Sequence, residues 1–199
     1  MSATTLVLAR HGQAQVNADR RMSARPPGSP LTELGRQQAG DLGARLAEAH
    51  PVVDAVYASP LLRARQTAEI VAKAFGLNPI ERPEIAEVDI GILEGTPGND
   101  ATILDEPAFA QWVHRRGLDR SMAGGELGSD MLRRFQAFLD DVVREHAGGT
   151  VVAVTHGGLM AAGVPNVVPA GAGGGDAEVS IPVNCAVIEL AHTGGHWRL

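Results

Sequence analysis

The run TVVAVTHGG at residues 150–158 decides the fold. Its first six residues are apolar or β-branched, follow Gly148-Gly149, and are too few for a helix, so they read as a strand. His156-Gly157-Gly158 then turns that strand into a helix. Working outward, TLVLA at residues 5–9 and VVDAVYA at 52–58 read as further buried strands. Residues 183–190 (VNCAVIEL) and His196 to Leu199 supply two more. Helical segments lie between them. Thr32 is placed as an N-cap, with Glu33 in the first turn and Ala39, Leu42, Leu46 and Ala49 at helical spacing. Ser59-Pro60 reads as an N-cap followed by proline at the first helical position, opening a helix that runs to Phe75 and stops at Gly76. Phe109 to Arg116 is a short helix. Leu127 to Ala147 is a long one, with Leu132, Phe135, Leu139 and Val142 on one face. Residues 17–30, 79–106 and 165–178 read as irregular or loop. Strands alternating with helices imply an α/β fold with a mostly parallel sheet, in one domain spanning 1–199.

Composition narrows the function classes. The chain has 199 residues, 44% hydrophobic and 20% charged, with a net charge of −6. That charge argues against general binding to nucleic acid or an anionic membrane. No stretch reaches the apolar length of a membrane span, and no signal peptide is visible. The single cysteine, Cys185, excludes an internal disulfide and fits a reducing compartment, so a cytoplasmic location is expected. A homodimer is what base rates for soluble oligomers suggest, and no residue pattern selects one.

Three polar clusters occupy the same structural place. Arg10-His11-Gly12, Ser59 to Arg63, and Thr155-His156-Gly157 each follow a strand, at the sheet edge where open α/β folds bind ligands. Arg10, His11, Arg63 and His156 therefore converge on paper, although they are distant in sequence. Two arginines and two histidines around one point suit a dianion, because the guanidinium fork matches phosphate geometry. A histidine nitrogen can accept a phosphoryl group and later release it to water. The leaving alcohol then needs a proton, and Glu87 and Glu94 lie in the irregular segment able to supply it. Rival chemistries fail on spacing: Lys73 has no P-loop context, Ala191 stands where a cysteine phosphatase needs arginine, and there is no C-x-x-C or H-E-x-x-H for zinc.

LVLARHG, PLTELGRQQA, SPLLRARQTA, AEVDIGILEG and VTHGG, in that order over nearly the whole chain, resemble the histidine phosphatase (phosphoglycerate mutase-like) superfamily. The resemblance implies a three-layer α/β/α sandwich and a metal-independent phosphomonoesterase with no cofactor, acting on a small phosphorylated metabolite. It implies that His11 is the phosphorylated nucleophile. Arg10, Arg63 and His156 would hold the phosphoryl group, and Glu87 would be the general acid, favoured over Glu94. Asn17, Gln13 and the Gly157 backbone are candidate phosphate contacts. A phosphoglycerate-type mutase and a non-catalytic phosphate-binding protein are the alternatives. The pattern departs at Gln13-Ala14, where Glu-Ser or Glu-Thr is usual, at Leu93 in place of tryptophan, and at Leu127 in place of serine. Glu126 is expected as a helix-start carboxylate. His50, His114 and His146 are expected at the surface, His192 and His196 in a hairpin, and Cys185 in the core.

Overall fold

The computed structural model describes residues 3–168 and 180–199. Its strands are β1 (Thr4–Arg10), β2 (Ala55–Ala58), β3 (Ile80–Glu81), β4 (Thr150–Thr155), β5 (Val187–Thr193) and β6 (His196–Arg198). They form one sheet in the order β3-β2-β4-β1-β5-β6. The first four run parallel; β5 pairs antiparallel with β1, and β6 antiparallel with β5. Alternation along the strands loads both faces. Leu6 and Leu8 of β1, with Tyr57, Val151 and Ala153, point to one side. Val7 and Ala9, with Val56, Val152 and Val154, point to the other.

Helices cover both faces, giving the expected three layers. Helices α2 (Glu33–Ala49) and α3 (Leu62–Lys73) cover the second face through Leu42, Leu46, Ala68 and Val71. Helices α5 (Pro107–Trp112), α6 (Gly128–Glu145) and α7 (Gly157–Val167) cover the first through Phe109, Trp112, Phe135, Phe138 and Leu159. Thr32 caps α2 as expected, its hydroxyl accepting from the Gly35 N–H at 3.0 Å. Gly76 takes the left-handed conformation just past α3, φ +68°. The buried face of α6 is carried by Met131 and Phe138 with Phe135, Leu139 and Val142, while Leu132 is only half-buried.

Several boundaries differ from the sequence expectation. β2 starts at Ala55, and Val52 lies outside it, 74% exposed. β5 starts at Val187 because Cys185 takes a left-handed turn, φ +58°. A single helical turn, α1 (Gln15–Ala18), opens the loop placed at 17–30. The irregular segment 79–106 contains β3, two 3-10 turns at Pro83–Ile85 and Gly91–Leu93, and a short helix α4 (Asp100–Leu104). The loop placed at 165–178 begins later. α7 continues through Pro165, and the Asn166 amide fastens its last turn to the carbonyls of Trp112 and Ala162. Residues 169–179 of that loop lie outside the described residues.

Phe135 is fully buried between the sheet and α7, its ring against the Gly163 backbone. Truncating it leaves a cavity that close-packed neighbours fill poorly. Phe135→Ala is expected to cost about 3–5 kcal/mol of folding free energy, read by denaturant unfolding.

Candidate active site

Parallel pairing carries three strand ends to one edge. Arg10 lies beside Thr155 across the β1–β4 ladder, and Ala58 beside Val154 across β2–β4. His11 and Ser59 extend those ladders through backbone N–H bonds to the Thr155 and Val154 carbonyls, both 3.0 Å. The chain must then turn sharply under α2. A Cβ on Gly12 would strike the Gly35 carbonyl, so only glycine fits after Arg10-His11.

His11 is buried and held by both ring nitrogens. Nδ1 lies 2.7 Å from the Gly12 carbonyl, which can only accept, so Nδ1 carries the hydrogen. Nε2 is left with a lone pair, toward which Arg63 Nε–H donates at 2.9 Å. Burial, then the Arg63 and Arg10 charges, hold the imidazole well below its usual 6.5. His156 packs edge-on to His11, ring centres 5.1 Å apart. Its Nε2 meets the Ser59 hydroxyl at 2.6 Å. It is lowered in the same way, by burial first and then by Arg63.

Arg63 sits in the first turn of α3, 2% exposed. Burial brings it down to about 10, so it keeps its charge at neutral pH. Its Nη2 donates to the Ser23 carbonyl at 3.0 Å. Among the described residues, Arg63 Nη1, Arg10 Nε and His156 Nδ1 are buried with no hydrogen-bond partner. Buried polar atoms in native proteins are almost always paired, and three such atoms clustered around two guanidinium groups form a set of donors that suits an anion.

A cavity of about 140 Å³ opens onto these groups, lined by Arg10, His11, Asn17, Arg63 and Glu87, with Asn184 at its wall. Residues 21–24, 98–100 and 103 supply the mouth. Glu87 is fixed by the start of α7: Oε1 accepts from Leu159 N–H and Val88 N–H, both 2.9 Å, and Oε2 from Gly158 N–H at 3.2 Å. Glu94 does not line the cavity. Its Oε2 accepts from Ala24 N–H at 2.8 Å and holds the 22–24 segment instead.

Other expected contacts fall elsewhere. Gln13 is turned away, its Oε1 accepting from the Thr32 hydroxyl at 2.9 Å. The tight Gly12–Gly35 approach commits that residue to α2 rather than to the pocket. His156 and Gly157 are not among the cavity-lining residues, but Gly157 lies against the Arg10 guanidinium and His156 Nδ1 is one of the three clustered unpartnered atoms. Ser59 is not the α3 N-cap; Leu61 is, because the Ser59 hydroxyl is drawn to His156. Glu126 caps no helix but pairs with Arg134 at 2.7 and 3.0 Å. His50 and His146 are half-buried rather than on the surface, through Glu189 and the Tyr57 hydroxyl respectively. His192 and His196 do lie in the β5–β6 hairpin. Cys185 is buried, its thiol pushed up to about 11 by burial, which suits no nucleophile.

Sequence reading missed four supporting residues. Ser59 orients His156. Arg134 donates to the Glu84 and Ala86 carbonyls at 2.8 and 2.7 Å and holds the segment that ends in Glu87. Asn184 donates to the His11 carbonyl at 3.0 Å. Asp100 pairs with Arg10 at 2.7 and 3.0 Å. Only Ser59, in SPLLR beside an expected site residue, carried a sequence signal.

The family model of the histidine phosphatase superfamily (branch 1) matches residues 6–199. A metal-independent phosphoserine phosphatase of Arabidopsis thaliana is 34% identical over 161 residues, covering 80% of this chain and 66% of the relative. A bifunctional protein of Mycobacterium tuberculosis is 34% identical over 154 residues, 77% of this chain. The chain spans only 41% of that relative's length. Among solved structures, a mycobacterial glucosyl-3-phosphoglycerate phosphatase in complex with VO3 superimposes with a TM-score of 0.77 at 27% identity. It covers 98% of this chain and 96% of its own. No described helix is long and apolar enough to cross a membrane.

Two buried imidazoles held below 6.5 make stability pH-dependent. Below 6.5 the unfolded chain takes up protons that the folded chain refuses, so stability falls as pH falls. The thermal midpoint is expected to drop between about pH 7.5 and about pH 5.5, and to drop less when inorganic phosphate is added. A midpoint indifferent to pH contradicts the burial of neutral imidazoles.

Proposed function

Because this chain belongs to the histidine phosphatase superfamily, we propose that it hydrolyses small phosphate monoesters through a phosphohistidine at His11. The observation that carries the reading is the state of His11 Nε2: a lone pair on a neutral, buried ring whose other nitrogen is tied to the Gly12 carbonyl. Similarity to two phosphatases supports hydrolysis as the outcome.

The steps balance with this chain's own groups. The Nε2 lone pair attacks phosphorus, and the bond from phosphorus to the leaving oxygen breaks. Arg63 Nε–H swings from the lone pair to a phosphoryl oxygen, joining the unpartnered donors of Arg10 and His156. Glu87 gives a proton to the departing alkoxide. Its Oε2, with one longer contact, has room to carry that proton. Water then attacks phosphorus, its proton returns to Glu87, and the N–P bond breaks to release phosphate. Two easier displacements replace one hard one.

His11→Ala is expected to abolish phosphate release from p-nitrophenyl phosphate while leaving the fold intact by circular dichroism. Full retained release refutes the assignment. Glu87→Gln is expected to slow alkyl phosphate hydrolysis by about 10²–10⁴-fold, and p-nitrophenyl phosphate far less, because that leaving group needs no proton. Glu94→Gln should leave this leaving-group contrast as in the wild type. The acid limb of kcat/KM is expected below pH 6.5, since His11 stays unprotonated there. Isomerisation of 3-phosphoglycerate without phosphate release is the outcome that favours a mutase instead.

A further inference from the structure

Arginine carries five N–H donors in one plane, and where each goes in Arg10 can be counted. Both hydrogens of Nη1 are spent, one on Asp100 Oδ2 at 2.7 Å and one on the Pro182 carbonyl at 2.6 Å. One hydrogen of Nη2 goes to Asp100 Oδ1 at 3.0 Å. Asp100 therefore grips the end-on edge of the guanidinium in a two-pronged pair. The other hydrogen of Nη2 and the Nε–H remain. They form the side-on edge, and Nε is buried with no partner among the described residues. That edge is itself a two-donor fork of the kind that matches two phosphoryl oxygens.

The pair is not explained by stability. Asp100 is 46% exposed at the cavity mouth, whereas Arg10 is buried. An ion pair with one partner that open to solvent contributes little to folding. Asp100 also brings negative charge to a pocket that otherwise recruits anions. What it does supply is a fixed direction: it and the Pro182 carbonyl hold one edge of Arg10, so the opposite edge cannot rotate away.

We infer that Asp100 is a positioning residue for the phosphoryl group: by gripping the end-on edge of Arg10, it aims the Nε and Nη2 donors of the side-on edge at the phosphoryl oxygens bound beside His11. The inference rests on the phosphatase reading for its consequence in turnover, but it concerns anion binding and is measured separately. The pairing also ties α4, which forms part of the mouth, to the floor of the site. A substrate too bulky to fit beneath that helix must break the grip and forfeit the orientation of Arg10.

The test is calorimetric titration of the full chain with inorganic phosphate at an ionic strength of about 0.5 M, where simple charge effects are screened. Wild type, Asp100→Asn, Asp100→Ala, Arg10→Ala and the Arg10→Ala/Asp100→Asn double variant are compared. Arg10→Lys replaces Arg10→Ala if the latter does not fold. Asp100→Asn and Asp100→Ala are expected to weaken phosphate binding about 10-fold, since a released arginine regains its rotamer freedom. Asp100→Glu should recover part of that loss. Once Arg10 is gone, Asp100→Asn should change little, because its effect travels through the guanidinium. In turnover of p-nitrophenyl phosphate, KM should rise more than kcat falls. Unchanged or tighter phosphate binding in Asp100→Asn overturns the inference and marks Asp100 as a competitor for Arg10. So does an equal loss in the Arg10→Ala background. If wild type binds phosphate but hydrolyses no monoester, the phosphatase reading falls while the titrations still decide the role of Asp100. If wild type binds no phosphate, both fall.

Discussion

A guanidinium has been taken out of water at Arg63 with no carboxylate in direct contact among the described residues; Glu87 and Glu94 act on it only from a distance. Its hydrogen bonds go to the His11 ring and the Ser23 carbonyl, and Nη1 is unpartnered among the described residues. Isolating a cation in this way costs several kcal/mol unless an anion arrives. The rest of the pocket follows from that cost. The charge of Arg63 helps keep His11 and His156 neutral, which preserves the lone pair on Nε2. The fold supplies the rigidity the arrangement needs: Arg63 stands in the first turn of α3, between the end of β2 and the sheet edge carrying Arg10 and His11. A dianion entering the cavity relieves strain already present, which is the sense in which the site is preorganised.

Much of this was legible in the amino-acid sequence because it lies at strand ends. Arg10-His11, Ser59-Pro60 and Thr155-His156 each follow an apolar run, and parallel pairing places such ends together. Thr32 was legible as a cap because capping is local chemistry over three residues. The errors share a different cause. Ser59 has the residue type of an N-cap, but a histidine 97 positions away takes its hydroxyl. Gln13 neighbours His11 in sequence, yet its amide oxygen is taken by the hydroxyl of Thr32, the cap of α2. Asp100 and Asn184 reach the site only through contacts 90 or more residues distant, and neither has a local pattern that announces it.

The two candidate acids show how position outweighs residue type. Glu87 and Glu94 are both glutamates of one irregular segment. Glu87 faces the cavity because Arg134 grips the backbone before it and the start of α7 receives its carboxylate. Glu94 is spent on the Ala24 N–H and shapes the mouth instead. Arg134 is in turn held by Glu126, so a residue expected to serve its own helix serves the placement of Glu87.

The stretch from Pro182 to Ala186 wraps the Arg10-His11 peptide closely. Pro182 takes an Arg10 hydrogen, Asn184 and Cys185 cover the carbonyls, and Ala186 receives the Arg10 N–H. These partners stand more than 170 residues apart along the chain. The surroundings of the His11 ring therefore belong to no single segment: a fragment that carries β1 without the stretch before β5 has the imidazole but not the contacts that hold it. The pocket closes only when β5 docks beside β1, so the chemistry open to that ring is set by the pairing of two distant strands rather than by the strand that bears it.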